Sequence, residues 1–225
     1  MIELKDIEFH YREGPFSLRV PALTIERGEQ VAVIGPSGSG KTSLLNLIAG
    51  VLVPDAGEVR VGDNVLSRMD DAQRRAFRIA RVGMVFQEFE LLEYLQVWDN
   101  MLLPYRIHPA LRLDEETRQS IRTLAERVGV GNFLHRFPRR LSQGERQRVA
   151  ICRALGTRPD LILADEPTGN LDPATSQTIV DLLLEQAEHR EATVLMVTHD
   201  HGLLDRFQRV VDLKDFPELD MEGGP

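Results

Sequence analysis

The sequence has no apolar run long enough to cross a bilayer. Its longest runs, such as Leu161 to Ala164 and Thr193 to Val197, are strand-length, whereas a membrane helix needs about 20 residues. It has no partner for its single cysteine, Cys152, so no internal disulfide staples the fold. Cys152 sits among Val149, Ala150, Ile151 and Ala154, where a small apolar residue serves as filler. A basic surplus is missing too: the formal net charge is -8, which argues against a broad phosphate-backbone interface and leaves nucleic acid an unexpected partner. Nor is there a basic-then-apolar leader, since Met1-Ile2-Glu3-Leu4-Lys5-Asp6 carries acids there, and a cytoplasmic location is expected. Internal repeats, low-complexity tracts and long linkers are also lacking, so a repeat array is excluded.

What remains is an ordinary globular composition, 42% hydrophobic and 28% charged over 225 residues, which buries a sizeable core without a metal. The acids of Glu185 to Glu191 and Asp212 to Glu222 read as solvated surface, and Met221 to Pro225 as a frayed end. Five continuous apolar stretches, Val31 to Ile34, Val82 to Phe86, Leu161 to Ala164, Val194 to Val197 and Val210 to Leu213, alternate with helical patterns. Runs of that length predict strands covered on both faces, hence an α/β fold with a mostly parallel sheet. Ile2, Leu4, Ile7 and Phe9, then Phe16, Leu18, Val20, Leu23 and Ile25, come closer to alternation and predict a small N-terminal antiparallel sheet. Between Val82 and Leu161 lies a helical insertion. Ile121, Leu124, Ala125 and Val128 mark one of its helices at i, i+3, i+4 and i+7, with Asp114 as cap, Glu115 and Glu116 in the first turn, and Gly129 or Gly131 as stop.

Val31 to Ile34 runs straight into Gly35-Pro36-Ser37-Gly38-Ser39-Gly40-Lys41-Thr42, and Leu44, Leu45, Leu47 and Ile48 begin a helix at once. Strand, G-x-x-x-x-G-K-T spacing and helix together make a phosphate loop. Its glycines let backbone N–H groups point inward, the helix end adds positive charge, Lys41 reaches the β and γ phosphates, and Thr42 offers a hydroxyl to Mg²⁺. Leu161 to Ala164 ends in Asp165 and Glu166: Asp165 suits Mg²⁺, and Glu166 suits the attacking water. An Asn-Lys-x-Asp guanine reader is absent, which argues against a GTPase.

Leu141-Ser142-Gln143-Gly144-Glu145-Arg146-Gln147-Arg148 then fixes the family. With Gly35 to Thr42, Asp165-Glu166 and their order, nearly the whole chain resembles the nucleotide-binding subunit of ATP-binding cassette (ABC) transporters. The resemblance implies a phosphate-loop NTPase core, about residues 1–87 and 158–225, with an inserted helical lobe at about 88–157. It implies ATP and Mg²⁺ as ligands, ATP hydrolysis, transmembrane permease subunits as partners, and a second copy of the chain arranged head to tail with ATP between the two. In the family the signature serine and glycine, here Ser142 and Gly144, grip the γ phosphate held by the opposite subunit. This copy departs from Leu-Ser-Gly-Gly-Gln at Gln143 and Glu145; Gln143 keeps its N–H available provided its φ is ordinary.

The resemblance also carries over single residues. Gln87 matches the glutamine near Mg²⁺ and water, Asp172 the loop touching the other subunit, His199 the contact to γ phosphate, and Tyr11 the aromatic stacking on adenine, with Phe9 and Phe16 as competitors. Ser43 and Glu145 join the nucleotide-binding set. Catalysis falls to Glu166, His199 and Lys41, and metal binding to Thr42, Gln87 and Asp165. A shorter likeness, through Phe86 to Leu92, Asp99-Asn100 and Leu103-Pro104, is to the lipoprotein-releasing and macrolide-export type. Exposed Phe89, Leu91 and Leu92 are then expected to form a groove for a partner helix. A soluble ABC-type ATPase or a non-hydrolysing ATP-binding scaffold is the alternative.

Overall fold

The computed structural model describes residues 1–14 and 16–217; the expectations for Glu218 to Pro225, the frayed end and part of the acidic tail, lie outside the described residues. Two sheets form the fold. The first is antiparallel with strand order β2-β1-β4-β5, from β1 (Ile2–His10), β2 (Ser17–Ile25), β4 (Ala56–Val61) and β5 (Asn64–Val65). The second is wholly parallel with order β6-β7-β8-β3-β9, from β3 (Gln30–Ile34), β6 (Val82–Phe86), β7 (Leu161–Asp165), β8 (Thr193–Val197) and β9 (Arg209–Asp212). All five apolar runs are strands, and only Leu213 falls beyond β9, in a 3₁₀ turn.

Strands β3, β7 and β8 read as continuous apolar runs because both faces are covered; the edge strand β9 departs from that expectation, with Val210 exposed and no residue fully buried. Val31, Val33, Leu161, Leu163, Leu195 and Val197 point into a core shared with the antiparallel sheet and helix α1 (Lys41–Ile48). Their neighbours Ala32, Ile162, Ala164, Val194 and Met196 point into a second core with α3 (Val97–Ile107), α4 (Glu115–Arg127), α5 (Gln143–Gly156) and α6 (Pro173–Glu188). This is the side-chain period of 2 with no polar face. Cys152 is fully buried in that second core, and burial pushes its thiol pKa up, so it is filler.

In the antiparallel sheet the buried positions skip a phase, from Leu4 to Ile7 and from Val20 to Leu23. A bulge explains both. Asp6 has φ 50°, the β1–β4 register shifts between Lys5 and Glu8, and Ile7 pairs with Val20 while Lys5 pairs with Ala22. Gly57 lies opposite with φ 89°, and a Cβ there would stand 2.3 Å from the Asp6 carbonyl oxygen, so only glycine fits.

The expected α4 is present. Asp114 accepts from the Thr117 N–H at 2.9 Å, Ile121, Leu124, Ala125 and Val128 are buried, and Gly129 leaves the helix at φ 76°. Helix α2 (Asp71–Arg81), with Asp70 and Gln73 in a capping box, precedes β6. No helix among the described residues is long and apolar enough to cross a membrane.

Candidate functional site

Strands β3, β7 and β8 end at one edge of the parallel sheet, and the segments leaving them converge there, as ligand sites do in such sheets. The Glu166 N–H donates to the Val197 carbonyl at 3.0 Å and the Thr198 N–H to the Val33 carbonyl at 3.1 Å, tying the three strand ends together. After β3 the loop turns tightly: Ser39 N–H donates to the Pro36 carbonyl at 3.2 Å. Gly40 caps α1 at φ 94°, where an added Cβ would lie 2.8 Å from Phe16 Cζ. The Lys41 ammonium folds back over the loop and donates to the carbonyls of Gly35 (2.9 Å) and Pro36 (2.8 Å).

Helix α1 has no side-chain cap and no acid in its first turn. Its leading amides and its partial positive charge therefore face outward without a protein counter-group, the arrangement that attracts a phosphate. Gly35, Ser37, Gly38 and Gly40, with Lys41, Thr42 and Ser43, line a cleft of ≈ 420 Å³ that Phe16, Glu166 and His199 border.

Asp165 ends β7 half-buried, with the Thr42 hydroxyl beside it. Burial pushes its carboxyl above the ordinary value and the charge of Glu166 adds to this, against the opposing Thr42 hydroxyl and Lys41 charge. A cation beside the pair would offset both raising effects. Mg²⁺ takes one or two protein oxygens and completes its shell with water and phosphate, so Thr42 and Asp165 fit it. Glu166 itself has φ 45°, a left-handed backbone that costs a non-glycine residue roughly 1–2 kcal/mol, and such strain clusters at functional sites. Its Oε2 stands 3.0 Å from His199 Nδ1.

The signature segment begins α5. Ser142 Oγ accepts from the Glu145 N–H at 3.3 Å, and Glu145 Oε2 accepts from the Ser142 N–H at 2.7 Å. This is a capping box, and it gives the departure at Glu145 a local reason. The Ser142 N–H bond, above all, holds the Glu145 carboxyl below its ordinary value. Gln143 is absent from the positive-φ residues, so its backbone conformation is ordinary. Gly144 packs where a Cβ would meet Thr175 Cγ2 at 3.1 Å. Ser142, Gly144 and Glu145 do not line the phosphate-loop cleft.

The remaining single residues have defined places. The Gln87 carbonyl accepts from Asn170 Nδ2 at 3.2 Å, and its amide packs on Gly169, where an added Cβ would meet Nε2 at 2.8 Å. Gln87 thus touches the loop that leaves Glu166. Asp172 caps α6, accepting from the Thr175 N–H (3.1 Å) and hydroxyl (2.6 Å). The Tyr11 hydroxyl lies 3.1 Å from Ser43 Oγ, and its ring stands edge-on to Phe9 at 4.9 Å and tilted to Phe16 at 5.7 Å. Phe16, not Tyr11, lines the cleft.

One expectation is corrected. Phe89 is buried, and Leu91 and Leu92 are partly buried, with Leu91 packed on the helical core, so they do not form an exposed groove. The apolar groove lies beside them instead, ≈ 620 Å³ between α2, β6 and α3, and includes Ile79, Met84, Phe86, Leu103, Pro104 and Ile107. Sequence reasoning named Asn100 only within the shorter likeness, with no structural role, and passed over Arg153. Asn100 is fully buried and staples the loop before α3: its Oδ1 accepts from the Leu92 N–H, and its amide donates to the carbonyls of Leu92, Leu95 and Gln96. Arg153, on the apolar face of α5, donates to the carbonyls of Phe89 and Glu90. A lone arginine among Val149, Ala150, Cys152 and Ala154 was the available signal.

Comparison with known proteins agrees with this geometry. The ABC transporter family profile matches residues 18–169. The lipoprotein-releasing system ATP-binding protein LolD of Hydrogenovibrio crunogenus is 38% identical over 220 residues, covering 96% of this chain and 94% of LolD. The macrolide export ATP-binding/permease protein MacB of Rhodopirellula baltica is 41% identical over 218 residues, 96% of this chain but 32% of MacB, so the chain spans about a third of that relative. Among solved structures, the ATP-binding cassette MJ0796, a dimer in a post-hydrolysis state bound to ADP and Pi, superposes with a TM-score of 0.83 at 34% identity over 94% of both chains. With the phosphate loop, the paired acids and the capped signature helix in one fold, the chain belongs to the ABC transporter family, as one of its ATP-binding subunits.

Proposed function

We propose that this chain binds and hydrolyses ATP between two copies of itself and thereby drives conformational change in transmembrane permease subunits. The observation that carries the reading is a separation. Lys41, Thr42, Glu166 and His199 share one cleft, while Ser142 and Gly144 present a second helix N-terminus outside it. A second copy placed head to tail brings its Ser142 end to the phosphate held here, and the dimeric MJ0796 cassette supports that arrangement.

In this mechanism Gly35 to Gly40 and the α1 amides bind the phosphates, Lys41 neutralises the β and γ groups, and Tyr11, flanked by Phe16, offers a flat face to adenine. Thr42 and Asp165, approached by Gln87, would hold Mg²⁺, which supplies charge neutralisation on the phosphate oxygens when bound. Glu166 accepts the proton of the attacking water as the water oxygen bonds to the γ phosphorus. The bond from that phosphorus to ADP breaks, and His199, hydrogen-bonded to Glu166, steadies the γ group. Asp172 meets the partner copy beside the second site.

The helical lobe, about 88–157, moves against the core lobe, about 1–87 and 158–225. The groove between α2, β6 and α3 receives a cytoplasmic segment of the permease. Its place beside Gln87, which touches the loop after Glu166, supports this docking. The likeness to LolD and MacB supports a permease of the lipoprotein-releasing or macrolide-export type and a position on the cytoplasmic face of the inner membrane.

Glu166→Gln is the direct test. Its turnover should fall by about a hundredfold or more, while ATP binding persists and ATP-dependent dimers accumulate in size-exclusion chromatography. Wild-type turnover in that variant overturns the assignment.

A further inference from the structure

The segment after β6 contains two consecutive non-glycine residues in the left-handed region, Phe89 at φ 60° and Glu90 at φ 50°. A bulky aromatic rarely adopts this conformation alone, and it persists only where surroundings hold it. Local bonds supply part of the hold: the Phe89 N–H reaches the Phe86 carbonyl at 3.4 Å and the Glu90 N–H the Glu88 carbonyl at 2.6 Å. The remainder comes from 63 residues further along the chain. One guanidinium nitrogen of Arg153 donates to the Phe89 carbonyl at 2.9 Å, and the other donates to the Glu90 carbonyl.

Arg153 makes no ion pair among the described residues. Burial lowers its pKa, with Glu90 opposing. A half-buried cation satisfied by two adjacent carbonyls is a fixed fork on a fixed turn, which a lysine point charge cannot reproduce. Two further facts place this fork at a junction. Arg153 and Glu90 both line the apolar groove between α2 and α3, and Arg153 rides on α5, the helix whose first residues carry the signature.

The geometry points to Arg153 as a positioning residue that locks the Phe89–Glu90 turn to α5 and so joins the permease groove to the Ser142 end of that helix. This rests on the reading of the groove as the permease site. An occupant pressing on the turn displaces α5 as a rigid rod, because helices transmit such shifts without bending. Arg153 touches neither nucleotide nor reacting atoms in this assignment.

The test compares wild type, Arg153→Gln and Arg153→Lys, each alone and in the membrane complex that co-purifies with the chain. Arg153→Gln should lower the stimulation of ATP turnover by the complex roughly tenfold, with the ATP affinity of the isolated chain unchanged. Arg153→Lys, able to reach one carbonyl but not to bridge both, should fall between. Unaltered stimulation in Arg153→Gln overturns the proposal, and so does an ATP affinity that falls in parallel, since that reports general damage. If the wild-type complex shows no stimulation, the permease reading fails instead. Hydrogen exchange on the isolated chain then judges the lock: faster exchange at residues 87–92 in Arg153→Gln supports it, and unchanged exchange overturns it.

Discussion

Helices α1 and α5 both begin where the sequence marks a phosphate contact, yet their first turns are built in opposite ways. Helix α1 starts from Gly40, with no capping side chain and no acid. Helix α5 starts from Ser142, whose hydroxyl and N–H are both engaged by Glu145, a carboxylate seated on the helix end. An uncapped N-terminus keeps its amides and partial charge for a ligand, whereas a capped one has already spent much of that attraction within the chain. The difference assigns unequal work. In the mechanism proposed above, the α1 end would hold the phosphates and the α5 end would make the weaker contact.

The largest expected effect comes from closing the open end. Gly40→Ala places a Cβ at φ 94° and against Phe16, so the loop must deform, and ATP affinity measured by titration should fall about a hundredfold. Retained affinity would remove the basis of the comparison. Ser142→Ala attacks the other end. Loss of the cap should lower unfolding stability by about 1 kcal/mol in denaturant titration, with ATP affinity of the isolated chain intact and ATP-dependent dimerisation weakened. An equal loss of ATP affinity would place Ser142 in the first cleft and contradict the division.

Glu145→Gln is the smallest and sharpest change, because glutamine keeps the capping box and removes only the charge. The ATP-dependent dimer should tighten by roughly threefold; an unchanged or weaker dimer means the carboxylate does not oppose phosphate. The same residue predicts a pH signature. Its folded pKa lies below its ordinary value of 4.5, so its stabilising contribution is complete above that value and is lost as pH falls through the lowered folded value. Thermal melts of wild type should lose stability across that acidic window, and Glu145→Gln should lose less.

Much of this was legible in the sequence. The five strands of the parallel sheet were, because each carries an apolar run even where, as in β9, one face is open, and α4 was, because Asp114, its buried positions and Gly129 all speak locally. The phosphate loop follows from short-range spacing, whereas Asp165-Glu166 takes its meaning only beside that loop, because two acids after a buried strand could equally begin a turn. Glu145 was legible only in part: Ser142-x-x-Glu145 is a capping box in sequence, yet beside the commoner signature it reads as a departure. The exposure assigned to Phe89, Leu91 and Leu92 failed because burial there depends on α3 and α5 packing over the segment. The structural roles of Asn100 and Arg153 were missed for the same reason, since they lie in carbonyls whose direction a sequence does not state. Antiparallel strand β4 and the bulge at Asp6 likewise depend on pairing across some 50 residues, and the two-residue β5 then pairs locally with β4.

The strand order has a consequence for synthesis. Strand β3, which feeds the phosphate loop, takes both its neighbours, β8 and β9, from chain made about 160 residues later. At ribosomal speeds of roughly 5–20 residues per second, that is a delay of the order of ten seconds. Throughout it, Val31 to Ile34 is an apolar ribbon with unpaired edges, and a nascent chain lacking β8 has no Thr198 N–H to fasten the loop's base. The base of the loop is therefore complete only once the last two strands of the sheet have been made, so the first part of the site to be synthesised is among the last to be fastened.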